Sequence, residues 1–144
     1  MTAPGQSGVA GVSEESLRRV PLFADLSTRE LKQVAKLFKR RRFAAGATVV
    51  QEGSGGSAFY VIESGEASVS VGGAENTTLK TGDYFGEIAL IDEGARMATI
   101  TATSDLACFG LTYWDFRPLV EANGSIGWNL LHSMTRMYRE ARQR

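Results

Sequence analysis

The sequence predicts a mainly β, α+β fold: an antiparallel barrel or roll flanked by helical segments. Three observations predict it. Between Phe43 and Tyr113, short β-prone runs (ATVVQE, FYVIES, EASVSV, TTLKTG, ATITA, LACFGL) follow one another at short intervals. Glycines punctuate the same stretch at Gly46, Gly53, Gly55, Gly56, Gly65, Gly72, Gly73 and Gly82, as tight turns between antiparallel strands require and βαβ units do not. Helical periodicity appears only before and after this stretch.

Taken in order, residues 1–12 are rich in Gly, Ala, Ser and Thr without periodicity, and are expected to form a flexible arm. Residues 13–26 contain a short helix and then VPLFADL, a connector with aromatic and aliphatic anchors. Ser27 followed by Glu30 is a capping box, after which Leu31, Val34, Ala35 and Phe38 fall on one helical face. The basic run Lys39–Arg42 reads as the solvated end of that helix, where positive charge complements the dipole. The β-roll is expected over 43–113. The Gly-rich GSGGS at 53–57 lacks the GK[ST] ending of a phosphate loop and reads as a hairpin turn. Residues 114–122 and 125–142 read as two C-terminal helices split at Asn123-Gly124, with Pro118 either in a first turn or at a kink. In the last helix Ile126, Leu130, Met134, Met137 and Tyr138 share an apolar face, while Arg136, Arg139, Glu140 and Arg142 stay polar. Residues 13–144 thus form one domain after the arm.

Length and composition fit that reading. A chain of 144 residues is single-domain size and should bury roughly 70% of its unfolded surface. A hydrophobic fraction of 43% suffices for a core. Lys+Arg and Asp+Glu both number 16, and this balance argues against a sequence-independent nucleic-acid binder. There is no apolar run near membrane-spanning length and no secretory leader pattern at the start, so a cytoplasmic location is expected. Cys108 is the single cysteine, excludes an internal disulfide and reads as a small core residue.

The most informative stretch is Phe85–Ala102, FGEIALIDEGARMATITA. Gly86 lets the backbone approach a ligand because it has no Cβ. The Glu87 carboxylate can accept hydrogen bonds from a ribose hydroxyl. A helical turn over 87–91 would leave the Ala89 and Leu90 amides facing an anion at its positive end. Arg96, ten residues after Gly86, supplies a planar two-pronged donor for phosphate oxygens. A turn glycine with a Glu87–Arg96 salt bridge is the plain structural alternative.

This stretch resembles the phosphate-binding cassette of the cyclic nucleotide-binding domain, found in bacterial catabolite activators, cyclic-AMP-dependent kinase regulatory subunits and gated channels. The Gly86-Glu87 to Arg96 spacing is like that of the kinase regulatory subunits. Ala95 stands where many members carry proline, and Met97 where alanine, serine or threonine is usual; neither departure removes a charged group. The resemblance covers about residues 15–142. It implies an eight-stranded antiparallel jelly-roll barrel interrupted only by the cassette helix, and a cassette of Phe85, Gly86, Glu87, Ile88, Ala89, Leu90, Arg96, Met97 and Ala98. Val69 and Thr77 occupy positions resembling those that line the family's purine pocket, although alternation alone would make Val69 core. Threonine at the Met97 position bonds guanine in cyclic-GMP-selective members, so methionine favours cyclic AMP, with cyclic GMP the alternative. Trp128, Leu131 and His132 are candidates for the residue that covers the base, and Leu90, Phe116 and Leu119 resemble the hydrophobic hinge.

The expected function is therefore a cyclic nucleotide sensor with no catalysis and no cofactor of its own. Its partner would be a second copy met through the C-terminal helix, or an effector protein. Catabolite activators carry a helix-turn-helix after the long helix; none follows here before Arg144, so direct nucleic-acid binding is not expected. A cupin-type enzyme would need several histidines, whereas His132 is the only one, and no carboxylate or histidine cluster suggests a cyclase or phosphodiesterase.

Overall fold

The computed structural model describes residues 11–92 and 94–143; apart from Gly11 and Val12, the N-terminal arm lies outside the described residues. The chain divides into two compact units, one holding the strands from Lys39 to Trp114, the other the helical segments up to Phe38 and from Asp115.

In the helical unit, α1 (Glu14–Arg18) starts where the Ser13 side chain accepts the Ser16 amide. A 3-10 turn over Pro21–Phe23 follows, then α2 (Thr28–Ala35). The Ser27–Glu30 capping box is present: Ser27 Oγ accepts the Glu30 amide at 3.1 Å, and Glu30 Oε1 accepts the Ser27 amide at 2.8 Å. Because both contacts are local, they were legible from spacing alone. α2 ends at Ala35, so the basic run does not finish a helix as expected. It forms a strand, because antiparallel pairing with the last strand of the roll overrides the weak helical preference of Lys and Arg.

α3 (Tyr113–Ala122) carries Pro118 inside the helix rather than in its first turn. α4 (Gly124–Arg142) follows after Asn123. The buried stripe of α4 is Ile126, Leu130 and Ser133; Met134 and Tyr138, assigned to the apolar face from the sequence, are exposed. The stripe turns through Ser133 because its hydroxyl accepts the Asp25 amide at 3.3 Å, while Arg136 pairs with the Asp25 carboxylate. Phe116 packs on Phe23 with ring centroids 6.0 Å apart. Leu17, Phe23, Leu31, Phe116 and Ile126 are fully buried, each contributing about 1.5–3 kcal/mol by removal from water.

In the strand unit the described residues form eight strands: β1 (Lys39–Phe43), β2 (Thr48–Val50), β3 (Ala58–Ser64), β4 (Ala67–Val71), β5 (Ala74–Leu79), β6 (Tyr84–Phe85), β7 (Thr99–Ala102) and β8 (Leu106–Thr112). The roll thus begins at Lys39, not Phe43. Nor is it a closed barrel: the strands make two four-stranded antiparallel sheets, ordered β1-β8-β3-β6 and β2-β7-β4-β5. Side chains from both sheets share one core, with Tyr60, Ile62, Leu106 and Cys108 from the first meeting Ala67, Ile100 and Ala102 from the second. Burial, with the Glu63 carboxylate as a lesser cause, pushes the Cys108 thiol up to about 11, which keeps it protonated and inert at neutral pH. The edge strand β1 is blunted by its charges, a common guard against edge-to-edge pairing. Arg40 grips Glu63 through two bonds of 2.9 and 2.7 Å and lies 5.3 Å over the Phe109 ring.

Glu30 joins α2 to α4. Its carboxylate is buried and accepts Ser125 Oγ at 2.7 Å and Asn129 Nδ2 at 2.9 Å besides the Ser27 amide. Burial alone would raise its pKa, but the hydrogen bonds, led by that from Ser27, outweigh it and hold the group below the ordinary glutamate value. A carboxylate depressed on folding stabilises above its unfolded pKa and loses that contribution as pH falls through the folded one. Glu30→Ala is expected to cost about 2–3 kcal/mol in urea unfolding at neutral pH. The gap to the unaltered protein should narrow as pH drops below the ordinary glutamate range; a gap independent of pH would show that the charge contributes nothing.

Candidate functional site

The strand unit contains a cavity of about 330 Å³ lined by Val50, by Phe85–Ala89, by Asp92 and Gly94–Ala98, and by Ile100. That lies at the small end of the range for small-molecule sites. It gathers eight of the nine cassette residues expected from the sequence; the ninth, Leu90, is buried rather than in the wall. Val50 from β2 and Ile100 from β7 join them although sequence patterning marks both only as strand residues.

The cassette hangs from β6. Tyr60 of β3 faces Phe85 across the ladder, with rings 5.2 Å apart, and this fixes the start of the turn. Gly86 then takes a left-handed conformation (φ 87°, ψ 16°), which a residue with a Cβ adopts only at a cost. A Cβ there would also stand 2.5 Å from Arg96 Nη1 and 2.8 Å from the Ala58 carbonyl oxygen. Gly86 is therefore required twice, by its backbone angle and by close approach.

The turn that follows is a 3-10 turn over Glu87–Leu90, not an α-helical one. In this tighter geometry the Ala89 amide bonds the Gly86 carbonyl at 3.0 Å, so it is not free as expected. The amides a 3-10 turn leaves without an internal acceptor are instead those of Glu87 and Ile88. So short a turn also carries little macrodipole, and the positive charge in this wall is that of Arg96.

Arg96 is half-buried and, among the described residues, is the only Lys or Arg in the cavity wall. Its Nη2 donates to the Ala58 carbonyl at 2.7 Å, while Nε is buried with no hydrogen-bond partner. Among the described residues no carboxylate pairs with it, so the Glu87–Arg96 salt bridge is not formed. Burial lowers the Arg96 pKa, an effect only partly opposed by Tyr60. The carboxylates in the wall are otherwise engaged or set apart. Asp92 Oδ1 accepts the Gly94 amide at 3.1 Å, and Glu87 lies where its charge, after burial, raises the Tyr84 phenol pKa.

Main-chain bonds hold Arg96 from the other side. Its amide donates to the Ser54 carbonyl and its carbonyl accepts the Gly53 amide, both at 2.8 Å, and Gly55 bridges Ala95. The GSGGS segment is thus a turn but not a hairpin: β2 and β3 on either side of it belong to different sheets. Contact with a residue some forty positions away was not visible in the local sequence.

Val69 and Thr77 face each other across β4 and β5, but neither lines the cavity. Val69 packs into the core and Thr77 is exposed. Met97 is in the wall and 86% exposed. The base-covering candidates Trp128, Leu131 and His132 lie exposed on α4, with the Trp128 and His132 rings 6.1 Å apart. Of the hinge residues, Leu90 and Phe116 are buried and Leu119 is half-buried. Among the described residues no three metal-ligating side chains come together, and no helix is long and apolar enough to cross a membrane.

Known proteins resemble this chain in sequence and fold. The family model of the cyclic nucleotide-binding domain matches residues 40–123. A cAMP-dependent protein kinase regulatory subunit from Colletotrichum orbiculare is 36% identical over 109 residues, which is 74% of this chain and 28% of the relative. A cGMP-dependent protein kinase from Toxoplasma gondii is 35% identical over 99 residues, 69% of this chain and 10% of that one. This chain thus spans under a third of the length of such relatives. Among solved structures, the N-terminal domain of a transcriptional regulator from Streptomyces coelicolor A3(2) superposes with a TM-score of 0.79 at 26% identity, covering 89% of this chain and 93% of that one.

Proposed function

The chain belongs to the cyclic nucleotide-binding domain family, and on that premise we propose that it is a non-enzymatic sensor whose preferred ligand is cyclic AMP. The observation that carries the reading is Arg96: a half-buried guanidinium in the cavity wall with an unpartnered Nε and, among the described residues, no carboxylate paired with it. An unpaired cation taken from water is costly, and a singly charged cyclic phosphate offsets that cost with a planar, charge-assisted contact. The Glu87 and Ile88 amides add donors in the same wall, and the Glu87 carboxylate accepts from the ribose hydroxyl.

The base lies along the apolar part of the wall, Val50, Met97, Ala98 and Ile100. Guanine brings an exocyclic amine and a ring N–H that need acceptors or a bridging hydroxyl. Met97 offers neither, and a polar edge left unsatisfied costs about 1–3 kcal/mol. Adenine therefore binds better than guanine. A relative named as a cGMP-dependent kinase makes cyclic GMP the second reading.

Phosphate binding draws the cassette toward Arg96 and moves Leu90 with it; Phe116 and Leu119 respond as the hinge, and Trp128, Leu131 or His132 covers the base. The ligand drives this change only through its differential affinity for the two states. The exposed side of α4 then signals to a second copy or to an effector.

A thermal-shift panel separates the readings, since a ligand that binds only the folded state raises apparent stability by mass action. Cyclic AMP should raise Tm most, cyclic GMP less, and linear AMP, with its extra charge, least. Arg96→Ala should weaken cyclic AMP binding by about 2–5 kcal/mol in titration calorimetry; unchanged affinity would overturn the assignment. Met97→Thr should bring the dissociation constants of cyclic AMP and cyclic GMP closer together, and a ratio that does not move would show that this position does not read the purine.

A further inference from the structure

The GSGGS turn has no role in the family-based reading of the site, yet it meets Arg96 at both main chain and side chain. Gly53 and Ser54 bond the Arg96 main chain on both sides, and Gly55 bridges Ala95. Gly56 touches the side chain itself. A Cβ built on Gly56 would overlap Arg96 Nε and stand 2.5 Å from Cζ and 2.7 Å from Nη2. A Cβ on Gly86 would stand 2.5 Å from Nη1. The guanidinium therefore lies between two α-carbons that carry no side chain, close to the Ala58 carbonyl.

The two glycines differ in kind. Gly86 has φ +87°, so its backbone angle alone favours glycine. Gly56 is not among the positive-φ glycines, so its backbone accommodates an alanine. What excludes a side chain at 56 is the guanidinium, and a contact that short must be relieved by moving one of the two. The Arg96 side chain moves more readily than a turn held by main-chain bonds.

We propose that Gly56 is a positioning residue for the phosphate site: by lacking a side chain it leaves the seat in which Arg96 presents its fork to the ligand. The proposal rests on the reading that Arg96 holds the phosphate. Displacing a fork by about an ångström breaks two-point recognition without removing the charge.

The test is a double-mutant cycle on cyclic AMP affinity, with Gly56→Ala, Arg96→Lys and the pair together, each also melted without ligand. Gly46→Ala serves as control: it strains a left-handed turn, but its Cβ meets nothing within 4 Å. Gly56→Ala should weaken cyclic AMP binding roughly 10- to 100-fold, the range of coupling between residues in direct contact. In the Arg96→Lys background, where no planar group occupies the seat, the same change should cost less than threefold. Gly46→Ala should lower Tm and leave affinity unchanged. Equal losses from Gly56→Ala in both backgrounds, or a loss matched by Gly46→Ala at the same drop in Tm, would overturn the proposal by making the turn a scaffold only. If Arg96→Lys and Arg96→Ala both bind as tightly as the unaltered protein, the phosphate reading itself fails. If they bind weakly and Gly56→Ala binds normally, only the role of Gly56 fails.

Discussion

A half-buried guanidinium that pairs with no carboxylate among the described residues is the constraint around which the strand unit is arranged. Arg96 donates to one carbonyl, Ala58, and keeps a buried Nε with no acceptor. Burying a charge in this way is unfavourable unless something else completes its hydrogen bonds. The surrounding backbone is built to keep it there. β3 supplies the Ala58 carbonyl, β6 delivers Gly86, and the 53–57 turn fixes the main chain at 96 through reciprocal bonds.

Two other features take their meaning from that cation. The 3-10 turn after Gly86 is too short to hold an anion by its dipole, so in the proposed function its Glu87 and Ile88 amides act as directional donors beside the Arg96 charge. Val50, Met97, Ala98 and Ile100 contribute apolar side chains to the wall. Under the proposed function a purine is therefore oriented from the phosphate and ribose end, by Arg96 and Glu87. The helical unit is tied internally by another buried charge, Glu30, but that one is fully satisfied by Ser27, Ser125 and Asn129. The contrast is one of partners: the buried Glu30 carboxylate has its hydrogen bonds completed within its unit, whereas the half-buried Arg96 keeps one donor unpartnered, as the proposed phosphate site requires.

Local features were the most legible in the sequence. The Ser27–Glu30 capping box, the α3–α4 break at Asn123 and the grouping of Gly86, Glu87 and Arg96 all depend on residues within about ten positions of one another. What escaped was non-local. Lys39–Arg42 has helical propensity, but its pairing partner Ala107–Gly110 is far along the chain. The Ser133 contact to Asp25 moved the buried stripe of α4 away from Met134 and Tyr138. The Ala89 amide turned on the difference between three and four residues per hydrogen bond, which composition does not encode. The role of Gly56 was hidden for the same reason: forty residues separate it from the side chain it makes room for.

The most direct measurement follows the Arg96 side chain itself, through the Nε–H resonance in a proton–nitrogen correlation spectrum during titration with cyclic AMP and, separately, adenosine. On this account cyclic AMP shifts that resonance strongly and slows its exchange with water, because the orphaned donor gains a phosphate oxygen, and adenosine leaves it in place. A cyclic AMP titration that saturates while the Arg96 Nε–H signal neither moves nor becomes protected would contradict the account.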